Sequence, residues 1–194
     1  MTNKIITISR EFGSGGRTIG KKLAEKLGIP CYDSEIIEEV AEKSGFSKEY
    51  IEEKGEYSKG SFLTSPFRSN YYYKSGNEDI IRSIQTKVIL EAAEKGPCVI
   101  VGRCADYILR ENENLFRVFI CADKEWRKKR IVETYGESSE TPEKRIRDKD
   151  KHRAAYYQFY TDVKWGEAVN YDISLNSARI GIDKCVDILY DLAK

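Results

Sequence analysis

Four short apolar runs divide the chain: KIITIS (4–9), CVIVG (98–102), FRVFICA (116–122) and YDISLN (171–176). The first three are nearly continuous and rich in β-branched residues, so both faces of each strand have to be covered. Parallel sheets meet that requirement, because their crossovers lay helices on both faces. The segments between the runs carry the helical period. Ile19, Leu23 and Leu27 recur in steps of four and stop near Gly28-Ile29-Pro30. IPCY (29–32) predicts a second, short strand, and SEIIEEVAEK (34–43) a helix with Ser34 as its N-cap. Ile81, Ile84 and Val88 mark a helix over about 78–95 that ends at Gly96-Pro97, and helices are expected after CVIVG and FRVFICA as well. Thr141-Pro142-Glu143 supplies a cap, a first-turn proline and an acidic first turn, opening a long charged helix to about 160. Ile182, Val186 and Leu189 lie on a closing helix. Strand alternates with helix without an internal repeat, which predicts an α/β fold built on a doubly wound parallel sheet. Ligands on such sheets sit beyond the carboxyl ends of the strands.

The stretch after the first strand lies at such an end. The phosphate-binding pattern G-x-x-x-x-G-K-[ST] can be laid on it in two registers. Gly15-x4-Gly20-Lys21 matches almost literally, but it starts the helix near residue 20, where the Ile19/Leu23/Leu27 stripe is already running. The preferred register places REFGSGGRT (10–18) directly after the strand and puts Gly16 where the lysine belongs. Phosphate binding survives that change in principle. Backbone N–H groups around a tight bend and the positive end of the following helix do most of the gripping. Glycines at 13, 15 and 16 permit the backbone such a bend needs. What is lost is a mobile point charge, which either Arg10 or Arg17 could supply as a fork.

Charge and cysteine usage remove other classes. Lys plus Arg (33) nearly cancels Asp plus Glu (32), so no global field draws nucleic acid or a membrane surface. No 18-residue apolar run is present, and a strand begins within the first residues, so neither a membrane span nor a signal peptide is expected. The five cysteines (31, 98, 104, 121, 185) are scattered without a CxxC pair, and His152 is the single histidine. A zinc site is therefore not expected, and the thiols read as reduced in a cytoplasmic protein.

Three stretches in order, ISREFGSGGRTIGKKLAEKLGIPCYDSEII, VIVGRCADYIL and RIRDKDKHRAAYYQFYTDVKWGEAVNYDISLNS, resemble the cytidylate kinase-like family, a branch of the P-loop nucleoside monophosphate kinases. The resemblance spans nearly the whole chain. It implies a five-stranded parallel core in one domain (1–194), a flap over the acceptor nucleotide (about 34–95) and an arginine-rich lid (about 136–165). The implied reaction moves the γ-phosphoryl of ATP, as its Mg²⁺ complex, onto a nucleoside monophosphate, so the partners are small-molecule nucleotides. By this resemblance Gly13, Ser14, Gly15, Gly16, Arg17 and Thr18 cradle the donor's phosphates. Thr18 falls on the magnesium-linked threonine of loops that end Gly-Lys-Gly-Thr. Asp33 and Ser34 resemble the opening of the acceptor site, beside their plain reading as strand end and helix cap. Arg103 resembles the arginine of a Gly-Arg-Asp motif that binds the acceptor's phosphate or base; here Cys104 follows, with Asp106 two residues on. Asp150 with Arg153 resembles the Asp-x-x-Arg of the lids, and Arg147 the arginine before it. Asn176, Ser177 and Ala178 would border the donor's base.

Other features stay open. Arg145, Lys149 and Arg153 repeat at steps of four and share one helix face, either as a lid surface or as a solvated face laced by ion pairs. Residues 124–153 carry eleven Lys/Arg against seven Asp/Glu. Arg127 and Arg130 either reach the same space as that lid face or, the reading preferred, cap a solvent face. Residues 54–78 read as a long loop rich in aromatics; Tyr71, Tyr72 and Tyr73 with Arg82 and Gln85 either line the acceptor flap or form a small core. Tyr156, Tyr157 and Tyr160 read as core before lid. The functional expectation is an ATP-dependent phosphotransferase with a CMP-like acceptor. A nucleotide sensor without transfer, or a P-loop kinase with another small acceptor, are the alternatives. The sequence specifies no oligomeric state.

Overall fold

The apolar runs become strands β1 (Ile5–Arg10), β2 (Cys31–Tyr32), β3 (Cys98–Val101), β4 (Leu115–Cys121) and β5 (Ile173–Asn176). They pair in the order β2-β3-β1-β4-β5, and each pairing is parallel. This is a computed structural model, and it describes residues 2–54 and 76–194. The helices are α1 (Gly16–Leu27), α2 (Ser34–Ser44), α3 (Lys48–Lys54), α4 (Gly76–Glu94), α5 (Ala105–Ile108), α6 (Lys124–Tyr135), α7 (Pro142–Thr161), α8 (Ser177–Ile180) and α9 (Ile182–Ala193).

Alternation along each strand builds two cores. Ile6, Ile8, Val99, Val101, Val118 and Ile120 face α1 and α9, whose Ile19, Leu23, Cys185, Val186 and Leu189 close that layer. Ile5, Cys98 and Ile100 face the other way, toward Ile36, Ile37 and Val40 of α2 and Ile81, Val88 and Ile89 of α4. Each large apolar side chain so enclosed contributes about 1.5–3 kcal/mol. Helix α1 lies flush on the sheet because Gly20 has no side chain. A Cβ there would stand 3.0 Å from Val101 Cγ2 and 3.2 Å from Ile8 Cδ1. With β1 central, the loop that follows it opens onto the carboxyl edge of the sheet, beside the end of β3.

Three local expectations are corrected. The N-cap of α2 is Asp33, not Ser34. The helix expected after β3 is only the single turn α5, and α3, which the periodicity did not announce, starts after Ser47, whose Oγ accepts from the Tyr50 amide at 3.2 Å. The Tyr71–Tyr73 segment lies outside the described residues. Among those described, no helix is long and apolar enough to cross a membrane.

Candidate active site

The bend between β1 and α1 uses its glycines for definite reasons. Gly13 and Gly15 sit at φ +80° and +83°, in the left-handed region. A Cβ on Gly13 would also stand 2.6 Å from Ile131 Cγ2. The first turn of α1 closes with the Ile19 amide donating to the Gly15 carbonyl at 2.9 Å. The amides of Gly16 and Thr18 precede that bond, so they belong to the helix's open, positive end. No acidic residue occupies the first turn to compete for them. Ser14, fully buried, braces the bend instead of facing out. Its Oγ donates to the Glu11 carbonyl at 2.9 Å, and its own carbonyl accepts from Ser177 Oγ at 2.5 Å.

This bend forms one wall of a cleft of about 610 Å³. Arg10, Arg17, Arg103, Arg130, Lys149 and Arg153 line it, against the carboxylates of Glu11, Asp33 and Glu49. Six cations to three anions make it a basic cavity in a chain that is nearly neutral overall. Phe12 and Tyr135 stack at its rim with ring centroids 5.8 Å apart.

The wall is held by a buried ion-pair network. Arg127, only 3% exposed, donates to Asp150 Oδ2 at 2.6 Å and to the Phe12 carbonyl at 3.2 Å, and lies 3.6 Å from Glu11 Oε1. Asp150 Oδ1 accepts from the Phe12 amide at 2.7 Å. Arg153 Nη1 donates to the Arg10 carbonyl at 3.0 Å. Helices α6 and α7 are thus tied directly to the phosphate-type bend. Glu11 completes the knot by accepting from the Ala122 amide at 2.9 Å. Burial pushes its carboxyl above the usual carboxylate range, with the Ala122 amide and Arg127 pulling the other way.

The expected site residues divide into two sets. Gly13, Gly15, Gly16, Arg17, Thr18, Asp33, Arg103 and Arg153 all line the cleft. Within it, Arg17 Nε donates to Asp33 Oδ2, which joins the first turn of α1 to the residue that caps α2. Thr18 Oγ1 accepts from Arg130 Nη2 at 2.9 Å. Arg103, two residues beyond β3, sits at φ +60°, followed by Cys104 at φ +54°, and its carbonyl accepts from Gln85 Nε2 at 3.3 Å. A non-glycine residue in that region is strained by about 1–2 kcal/mol. The other set stays outside the cleft. Ser14 and Asp150 are engaged in bracing, and Ser34 only begins α2. Arg82 stacks on Tyr160 in a smaller neighbouring cavity, its guanidinium 4.5 Å from the ring centroid. Arg147 is exposed and pairs with Asp148 at 3.1 Å. Arg147 and Arg153 are six residues apart, which sets them about 120° apart around the helix. Arg145 turns back to the Gly136 carbonyl at 3.0 Å.

The less favoured sequence reading holds for Arg127 and Arg130: Arg127 is buried against the Phe12 carbonyl, and half-buried Arg130 donates to Thr18. Lying four and seven residues after Asp123, both fall on its face of α6, and that was the available signal. Tyr156 and Tyr157 are core residues packed with Cys104, as the preferred reading had it.

The model of the Cytidylate kinase-like family matches residues 5–179. A cytidylate kinase of Archaeoglobus fulgidus is 30% identical over 189 residues, covering 95% of this chain and 91% of its own. One from Methanopyrus kandleri is 27% identical over 194 residues, covering 95% and 90%. Among solved structures, an uncharacterized protein from Eubacterium ventriosum superposes with a TM-score of 0.74 at 33% identity, covering 98% of both chains. Shikimate kinase from Acinetobacter baumannii, in complex with shikimate, gives 0.57 at 18% identity, covering 99% and 93%, a likeness of fold. With glycine bend, parallel sheet and family match coinciding over nearly its full length, this chain belongs to the cytidylate kinase-like family.

Proposed function

We propose that this chain moves the γ-phosphoryl of ATP onto the phosphate of a nucleoside monophosphate, with a CMP-like acceptor. The observation that carries the reading is the basic cleft, which has the glycine bend at one end and Asp33 with Arg103 at the other. In the transfer, the bond from the γ-phosphorus to the β,γ-bridging oxygen breaks. A bond to an oxygen of the acceptor phosphate forms, and ADP leaves with the electron pair. No protein nucleophile enters; positioning and charge stabilisation do the work.

The residues present fit a triphosphate. The bend is shaped by glycines that a Cβ would fill, and its helix opens without a competing acid. Arg10, Arg153 and Lys149 bring positive charge to the equatorial oxygens of the transferring group, and Arg103 is placed to hold the acceptor phosphate. For Mg²⁺ the donor set is lean. Thr18 Oγ1 is engaged by Arg130, and no cluster of three or more His, Cys, Asp or Glu side chains is found among the described residues. Such a set suits an ion carried in mainly by substrate phosphates and water, which Thr18 would help to hold. When bound, it would neutralise charge developing between the β and γ phosphates.

The test is ADP release from ATP and Mg²⁺ with CMP, dCMP, UMP, AMP and small hydroxylated metabolites in turn. CMP or dCMP is expected to stimulate release most. Release with a hydroxylated metabolite alone would replace the acceptor. Silence across the panel from folded, ATP-binding protein would turn the reading into that of a nucleotide sensor.

A further inference from the structure

In the register that fits the fold, G-x-x-x-x-G-K spans residues 10–16. Two of its three defining positions are then exchanged: arginine (Arg10) stands where the first glycine belongs, and glycine (Gly16) where the lysine belongs. The structure shows these two positions face to face. A Cβ built on Gly16 would lie 2.6 Å from Arg10 Cβ and 2.9 Å from Arg10 Cγ. No residue with a side chain fits at 16 while Arg10 keeps its place, and those neighbours are the base of a side chain, which cannot swing aside. In the usual pattern a glycine at the first position leaves room for the stem of the lysine. Here the glycine at 16 leaves room for the stem of the arginine.

Resting on the nucleotide reading above, we infer that Arg10 and Gly16 are a reciprocal exchange, in which Arg10 replaces the loop lysine as the cation for the donor's phosphate tail. Three further observations agree. Arg10 is 4% exposed and lines the cleft, so its cation is fixed beside the bend instead of on a mobile tether. Its main chain is locked by the Arg153 hydrogen bond to its carbonyl, which any substitution at 10 preserves. The competing candidate, Arg17, is exposed and committed to Asp33. A guanidinium offers a rigid fork to two phosphate oxygens where an ammonium offers a point, so the exchange keeps the charge and changes its geometry.

Calorimetric titration with MgADP and with inorganic tripolyphosphate tests this without needing turnover. Arg10→Met is expected to weaken both about tenfold or more, as loss of a charge-assisted phosphate contact should. Gly16→Lys alone should weaken them similarly, because its stem meets Arg10. The double variant Arg10→Gly/Gly16→Lys, which restores the usual pattern, should bind within about threefold of the unaltered chain. Folding of each variant is checked by its thermal midpoint. Unchanged affinity in folded Arg10→Met overturns the assignment, as does a double variant no better than either single one, or a larger loss from Arg17→Met. If the unaltered protein binds neither titrant, both this assignment and the nucleotide reading fall together.

Discussion

Replacing Asp150 with asparagine keeps the volume of the side chain and removes its charge. Two donors now converge on that carboxylate, the Phe12 amide at 2.7 Å and the Arg127 guanidinium at 2.6 Å. An asparagine can accept one of them, and its own NH2 must then face the other, donor against donor. Arg127 is 3% exposed, so its charge cannot turn to water. Breaking a buried pair from one side costs about 3–5 kcal/mol. Asp150 is itself 18% exposed, and Arg127 retains the Phe12 carbonyl and the more distant Glu11, so the low end applies, about 3 kcal/mol. For a domain of this size that corresponds to a fall in Tm of about 6–12 °C. Calorimetry or urea denaturation of Asp150→Asn measures it. Combining it with Arg127→Met removes the stranded charge, and at least about half of the loss should return. A single variant within about 1 kcal/mol of the parent, or a double variant as unstable as the sum, would refute the idea that Arg127 and Asp150 brace the bend.

Gly13→Ala should destabilise by about 2 kcal/mol or more, from a left-handed backbone at φ +80° and a Cβ 2.6 Å from Ile131; a urea midpoint unchanged by the substitution would show the bend to be softer than drawn. The buried Asp106 carboxyl is pushed above its usual range chiefly by desolvation, against the pull of the Tyr157 hydroxyl 2.9 Å away. The folded chain therefore keeps a proton that the unfolded chain releases near pH 3.8. That group's contribution is complete below this pH and is lost as pH rises through the higher folded value. Stability of Asp106→Asn relative to the parent should improve over that rise, and parallel pH curves for the two would exclude it.

The sheet was legible because strands covered on both faces leave continuous apolar runs, as KIITIS and CVIVG do, and because Gly28 and Thr141-Pro142 punctuate helices without help from distant contacts. The bend was legible because glycine at 13 and 15 has few other uses between a strand and a helix. The bracing was not. A buried arginine in KEWRKKR looks the same in sequence as its exposed neighbours, since what separates Arg127 from Lys128 and Lys129 is a carboxylate 23 residues away. Asp150 shows the complementary case. Family likeness sets it in a lid motif and says nothing of its partners, while the structure engages both of its oxygens, with the Phe12 amide and Arg127. The exchange at 10 and 16 was half visible: the missing lysine could be seen, but its replacement depends on a distance between residues six apart, which only the folded bend reveals.

Helix α7 is fastened to the bend near its middle, through Asp150 and Arg153, whereas its first turn is paired with α6, through Glu143 and Lys128. A rod clamped there pivots instead of translating. Any closure over a bound ligand then has to be a swing of the section before Asp148, with Pro142 at its tip and Arg145 along it, while Lys149 and Arg153 stay put beside the fulcrum. Static and travelling charges would thus sit on one helix, separated only by where the clamp is placed.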